Sequence, residues 1–184
     1  DSVNNVAVMD FKSFQDVPRM EHFADSMFSA LREKHIGNLI IDLRDNGGGN
    51  SAVGDVLLRY LSPIPFTQME KALVKVTPTT ARLRELPIPA GGFEFYDSDP
   101  SEYIVPLTEQ EGHYDGKVYL LTSNKTFSSA GSFAWAFKET GAGTVVGEET
   151  GGMNVSFGEV IYFTLPVSKL YSSVSCKRFW LFHA

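Results

Sequence analysis

Two short stretches of this chain combine residue types and placement that can do chemistry. The first, Arg44-Asp-Asn-Gly-Gly-Gly-Asn50, sets three glycines in a row after an apolar run. Without Cβ atoms, such a loop lets main-chain N–H groups approach a bound group directly and can form an anion-binding concavity. It has neither the glycine spacing of a dinucleotide site nor the Lys-Ser/Thr ending of a phosphate loop, so by itself it specifies no ligand. The second, Thr126-Phe-Ser-Ser-Ala130, puts two hydroxyls where a helix is expected to begin. A serine there can act as a cap, accepting an orphan N–H of the first turn. It can also act as a nucleophile, because its oxygen is exposed and adjacent N–H groups can hold the oxyanion that forms on attack at a carbonyl. Spacing alone leaves both open.

The elements that must position these loops follow from periodicity. Asn38–Leu43 and Lys117–Thr122 are short apolar runs of the kind buried in a parallel sheet, and each loop lies at the carboxyl end of one, where α/β folds place ligands. After the first loop, Asn50 or Ser51 can cap a helix carrying Val53, Val56, Leu57, Tyr60 and Leu61 and stopped before Pro63. After the second, Ala130 to Thr140 predicts a helix with Phe133, Ala134, Trp135 and Phe137, ended by Gly141 and Gly143 ahead of a strand at Thr144–Val146. Upstream, Val6–Phe14 reads as strand-like, and Met20–His35 as a helix with Phe23, Met27, Ala30 and Leu31 on one face. Downstream, Val160–Leu165 and Leu170–Cys176 read as a hairpin across Pro166–Lys169. Between the two halves, Ile64 to Gly116 holds most of the prolines and Ala90–Gly92, lacks sustained periodicity, and reads as a partly irregular insertion. The whole predicts an α/β fold with a mostly parallel sheet and flanking helices, in one domain spanning residues 1–184.

Composition removes other classes. With 43% apolar and 12% aromatic residues the chain is no disordered segment, and its net charge of −6 argues against nucleic acid as a partner. No apolar run reaches the ~18–20 residues of a membrane span. Cys176, the only cysteine, cannot form an internal disulfide, and no Cys/His cluster has metal-ligand spacing.

Taken in order, Asn38-Leu-Ile-Ile-Asp-Leu-Arg-Asp-Asn-Gly-Gly-Gly49, Val118-Tyr-Leu-Leu-Thr-Ser-Asn-Lys-Thr-Phe-Ser-Ser-Ala130 and Thr144-Val-Val-Gly-Glu-Glu-Thr-Gly-Gly152 resemble the tail-specific, or C-terminal processing, serine peptidases. The resemblance runs from about Val6 to Leu165 and implies a crotonase-like β/α spiral core, no cofactor, a polypeptide substrate and an exported location, periplasmic or at the cell surface. It puts the nucleophile on Ser128 and the oxyanion hole on the N–H of Ser129 together with that of Gly47 or Gly48. It also exposes a gap. Where the tail-specific branch carries a lysine base after its Gly-Glu-x-Thr-x-Gly motif, this chain has Met153, and a thioether cannot accept a proton at neutral pH. Another lysine such as Lys169 would have to reach the serine instead. Relatives resembling the tricorn core protease use a histidine and a glutamate that would lie beyond both ends of this stretch. His22, His35, His113 and His183 read as solvated, capping or loop residues, and Glu148 and Glu149 as a solvated turn. The expectation is a peptidase core belonging to a longer chain. Its rivals are a catalytically silent homologue that binds a peptide or apolar ligand in the same cleft, and an acyl-transfer enzyme with affinity for coenzyme A.

Overall fold

Two sheets of opposite character share the chain. The structure, a computed structural model, describes residues 5–83, 85 and 91–184. Its elements are β1 (Val6–Asp10), α1 (Val17–Glu33), β2 (Asn38–Asp42), α2 (Ala52–Leu61), β3 (Met69–Val76), α3 (Pro78–Leu83), β4 (Gly92–Asp97), β5 (Lys117–Thr122), α4 (Ser129–Glu139), β6 (Thr144–Gly147), β7 (Val155–Thr164) and β8 (Tyr171–Leu181). The first sheet has the order β1-β2-β5-β6 and is parallel throughout. Each crossover carries a helix, as parallel pairing requires. The second, β4-β3-β8-β7, is antiparallel throughout.

The parallel sheet sits in the hydrophobic core. Leu39 and Ile41 of β2 and Leu120 of β5 are fully buried, and Phe14, Phe28, Phe133 and Phe137 fill the space between sheet and helices. α1 is started by Asp16, whose carboxylate accepts from the Arg19 N–H at 3.1 Å, with Pro18 in its first turn. α2 is capped by Asn50, which accepts from the Ala52 N–H at 3.0 Å, while Ser51 makes no side-chain cap bond.

The stretch 64–116, expected as partly irregular, holds β3, α3 and β4, and β3 lies inside the antiparallel sheet between β4 and β8. Ala90 falls outside the described residues. The C-terminal hairpin is longer than its apolar pattern suggests, with β7 starting at Val155 and β8 running to Leu181. That extra length brings β7 and β8 beside the second loop.

Candidate active site

Ser128 stands at the N-cap position of α4 with φ 53° and ψ −125°, and its side chain makes no capping bond. A non-glycine residue in this region stores roughly 1–3 kcal/mol of backbone strain, which the surrounding loop must hold in place. The residue is exposed, whereas its neighbour Ser129 is buried and donates its hydroxyl to the Gly49 carbonyl at 2.6 Å. Of the two adjacent hydroxyls, one therefore ties the loops together and the other has no hydrogen-bond partner among the described residues.

The glycine loop lies directly against this turn. A Cβ at Gly48, whose φ is +96°, would fall 2.6 Å from the Phe127 oxygen, 2.7 Å from Ser129 N and 2.9 Å from Ser128 Cβ. A Cβ at Gly49, φ +144°, would fall 2.1 Å from the Phe14 oxygen. Both positions need glycine because backbone passes where a side chain would stand. The Gly48 N–H donates to Asn46 Oδ1 at 2.9 Å, so in this arrangement it is engaged. No described residue accepts from the N–H of Gly47, Gly49 or Ser129.

Several contacts fix one loop on the other. Asn46, fully buried, donates through Nδ2 to the Phe11 carbonyl at 2.7 Å, accepts from Gly48 through its side chain, and accepts the Phe127 N–H at its own carbonyl at 3.1 Å. Thr126 donates to the Leu43 carbonyl at 2.8 Å, and Lys125 Nζ lies 3.1 Å from Asp45 Oδ1. Hydrogen bonding to Arg44 holds the Asp42 carboxyl below the usual carboxylate range, and the Lys125 ammonium does the same for Asp45. Behind α4, Ser132 donates to Gln68 Oε1 at 2.9 Å, and Gln68 Nε2 donates to Asp55 Oδ1 and to the Ser51 carbonyl, each at 2.7 Å. Burial raises the Asp55 carboxyl. Asn46, Gln68 and Ser132 were not singled out from the sequence. Asn46 stands beside the glycines in the same motif, but nothing local marks Gln68, whose partners lie 13 and 64 residues away.

Ser128 opens into a pocket of about 60 Å³ whose walls include Gly152, Met153, Phe157, Phe179 and Leu181. None of the residues lining it is ionisable. A larger cavity of about 600 Å³ adjoins it, sharing Gly131, Gly152, Met153 and Leu181 and reaching Trp135, Lys138, Glu148 and Glu149. Met153, 73% exposed, thus stands at the junction of the two. Lys169 lies instead in the β7–β8 turn, and neither it nor any of the four histidines lines either space. His22 is on α1, His35 follows that helix, His113 precedes β5, and His183 stacks on Phe182.

A model of peptidase family S41 matches residues 5–163. The chain belongs to peptidase family S41. Among solved S41-type folds, the photosystem II D1 C-terminal processing protease aligns at 18% identity and a TM-score of 0.55, over 96% of this chain and 38% of that one. Mature CPAF complexed with lactacystin aligns at 16% identity and a TM-score of 0.66, over 94% of this chain and 43% of that one. At these identities the likeness is one of fold. The present chain spans less than half the length of either structure.

Proposed function

We propose that this S41 domain carries the nucleophile of a serine endopeptidase acting on polypeptides. Ser128 Oγ attacks a peptide carbonyl and gives up its proton. The resulting oxyanion is held by the N–H of Ser129 and one from the glycine loop, with Gly47 favoured over Gly48 because the latter already serves Asn46. The C–N bond then breaks, the amine leaves protonated, and water hydrolyses the Ser128 ester to return the hydroxyl. A crotonase-like ancestry for the parallel sheet and an exported location rest on the family resemblance.

One observation carries the reading. Ser128 is exposed, held at positive φ and left uncapped, with its Cβ packed against Gly48. A capping serine would turn its oxygen onto the first-turn N–H groups, and this one does not. The base that takes its proton comes from polypeptide outside this stretch, since the pocket wall offers no ionisable group.

That same wall favours the competing reading, a silent homologue that binds peptide or an apolar ligand without cleaving it. A small alkyl fluorophosphonate separates the two. Intact-mass analysis of the full-length protein is expected to show one adduct on Ser128, absent in Ser128→Ala. A folded protein that takes up no adduct overturns the peptidase reading in favour of binding.

A further inference from the structure

One buried side chain bonds the helices that follow both loops, and it belongs to neither of them. Gln68, 4% exposed, stands just before β3 and reaches between α2 and α4. Its Nε2 donates to the carbonyl of Ser51, two residues past the last glycine of the first loop, and to Asp55 Oδ1 on α2, each at 2.7 Å. Its Oε1 accepts from Ser132 Oγ, in the first turn of α4, at 2.9 Å. The Ser51 carbonyl can only accept, so the amide nitrogen must face α2 and the amide oxygen is left for α4. Room for this amide comes from Gly54, where a Cβ would fall 3.0 Å from Gln68 Nε2 and equally close to Phe14 and Phe133. Glycine weakens a helix interior relative to alanine, so α2 gives up stability at the point where Gln68 passes.

Ser132 in turn governs the peptide between Ser128 and Ser129. Its N–H donates to the Ser128 carbonyl at 3.0 Å, and its hydroxyl lies 3.1 Å from the Ser129 carbonyl. A trans peptide is planar, with its C=O and N–H on opposite edges. Drawing the Ser128 carbonyl back toward Ser132 therefore turns the Ser129 N–H the other way, out of the helix end. We propose that Gln68 is a positioning residue for the oxyanion hole: bonded to the start of α2 through its nitrogen and to the first turn of α4 through its oxygen, it sets the separation of the Ser129 N–H from the N–H groups of the glycine loop, with Asp55 holding the amide in place. This rests on Ser128 as nucleophile. Gln68 itself touches no reacting atom and acts through Ser132 and Ser51.

The test uses two serine-directed reagents on the full-length protein, an alkyl fluorophosphonate and the same compound with P=S in place of P=O. Sulfur is a weak acceptor, so well-placed donors favour the oxygen compound. A variant that only loosens the fold removes reactive protein and slows both reagents by one factor, whereas misplaced donors slow the oxygen compound selectively. Gln68→Met, similar in length but without the amide, is expected to slow the P=O reagent about tenfold and the P=S reagent less than about threefold, with circular dichroism showing a folded protein. Ser132→Ala is expected to lower the same rate ratio. The double variant is expected to be no more than about twofold slower than Gln68→Met alone, because the bond it removes is already lost. An unchanged P=O to P=S ratio in either single variant, or effects that multiply in the double variant, overturns the proposal. If Gln68→Met does not fold, the ratio in Ser132→Ala decides. An unmodified protein that reacts with neither reagent overturns the nucleophile reading and this inference with it, while one that reacts and whose variants keep its ratio overturns this inference alone.

Discussion

The loops at the end of the parallel sheet and the hairpin of the antiparallel sheet meet at one serine, yet they are built on different principles. Around the loops the polar side chains that join one loop to the other have designated partners, while the N–H groups of Gly47, Gly49 and Ser129 and the Ser128 hydroxyl have none among the described residues. Asn46 alone serves Phe11, Gly48 and Phe127, and Thr126, Ser129 and Lys125 each reach across to the other loop. In the hairpin, large apolar side chains stand in the open, among them Phe157 at 67%, Tyr162 at 61% and Tyr171 at 72% exposure. The difference separates two tasks. Acyl chemistry needs donors fixed to a fraction of an ångström and so draws on a buried, over-determined scaffold. A wall that receives substrate needs an accessible surface, and its side chains can vary without disturbing the donors.

The contrast breaks first at Asn46 if it is wrong. Asn46→Ala leaves the Phe11 carbonyl and the Gly48 N–H without partners in a buried site, and each unsatisfied group costs roughly 1–3 kcal/mol. A loss of about 3 kcal/mol in urea-unfolding free energy is expected, together with a fall in the fluorophosphonate labelling rate larger than any hairpin substitution produces. If stability and labelling both stay near the unmodified values, the loop clamp is not what positions Ser128.

The same contrast accounts for what could be read from the sequence. β5 was legible to the residue, and β2 to within one, because both are buried in a parallel sheet and appear as unbroken apolar runs. Ser128 and the glycines were legible because their loop motifs are contiguous. β3 was not recognised even though Ala72, Val74 and Val76 are buried and alternate with Lys71, Leu73 and Lys75, a clear two-residue period. The surrounding prolines and glycines outweighed it. β4 offers no such pattern, since five of its six residues are exposed, and its place is set by pairing with β3 and by ring contacts with Lys177 and Trp180 of β8. Asn46 and Gln68 act through partners far away in sequence, and no local pattern encodes such contacts.

A smaller effect sharpens the comparison from the hairpin side. Tyr162 stacks on Tyr171, with ring centroids 5.5 Å apart, on an open surface. Tyr162→Ala is expected to cost no more than about 1 kcal/mol, the range for an exposed aromatic pair, and to leave fluorophosphonate labelling unchanged. A cost matching that of Asn46→Ala would mean that the hairpin is as tightly specified as the loops.

The smallest effect is that of pH on the charges at the loop ends. The Asp42 and Asp45 carboxyls are held below the ordinary value of 3.8 by Arg44 and Lys125 respectively, so their contribution is fully present above that value and is lost as pH falls through the lowered folded values. Asp55 works in the opposite sense. Burial raises its carboxyl, so protonation favours the folded state, and acid offsets part of the loss at the other two. The Lys12, Lys125 and Asp45 side chains are all more than half exposed, which keeps the net change small and sensitive to salt. Thermal melts between about pH 6 and about pH 3 are expected to show a modest fall in Tm that shrinks in about 0.5 M salt and shrinks again in Asp45→Asn. A fall that ignores both salt and Asp45→Asn would place the acid-sensitive contacts elsewhere and leave the loops held together by Asn46, Thr126 and Ser129 alone.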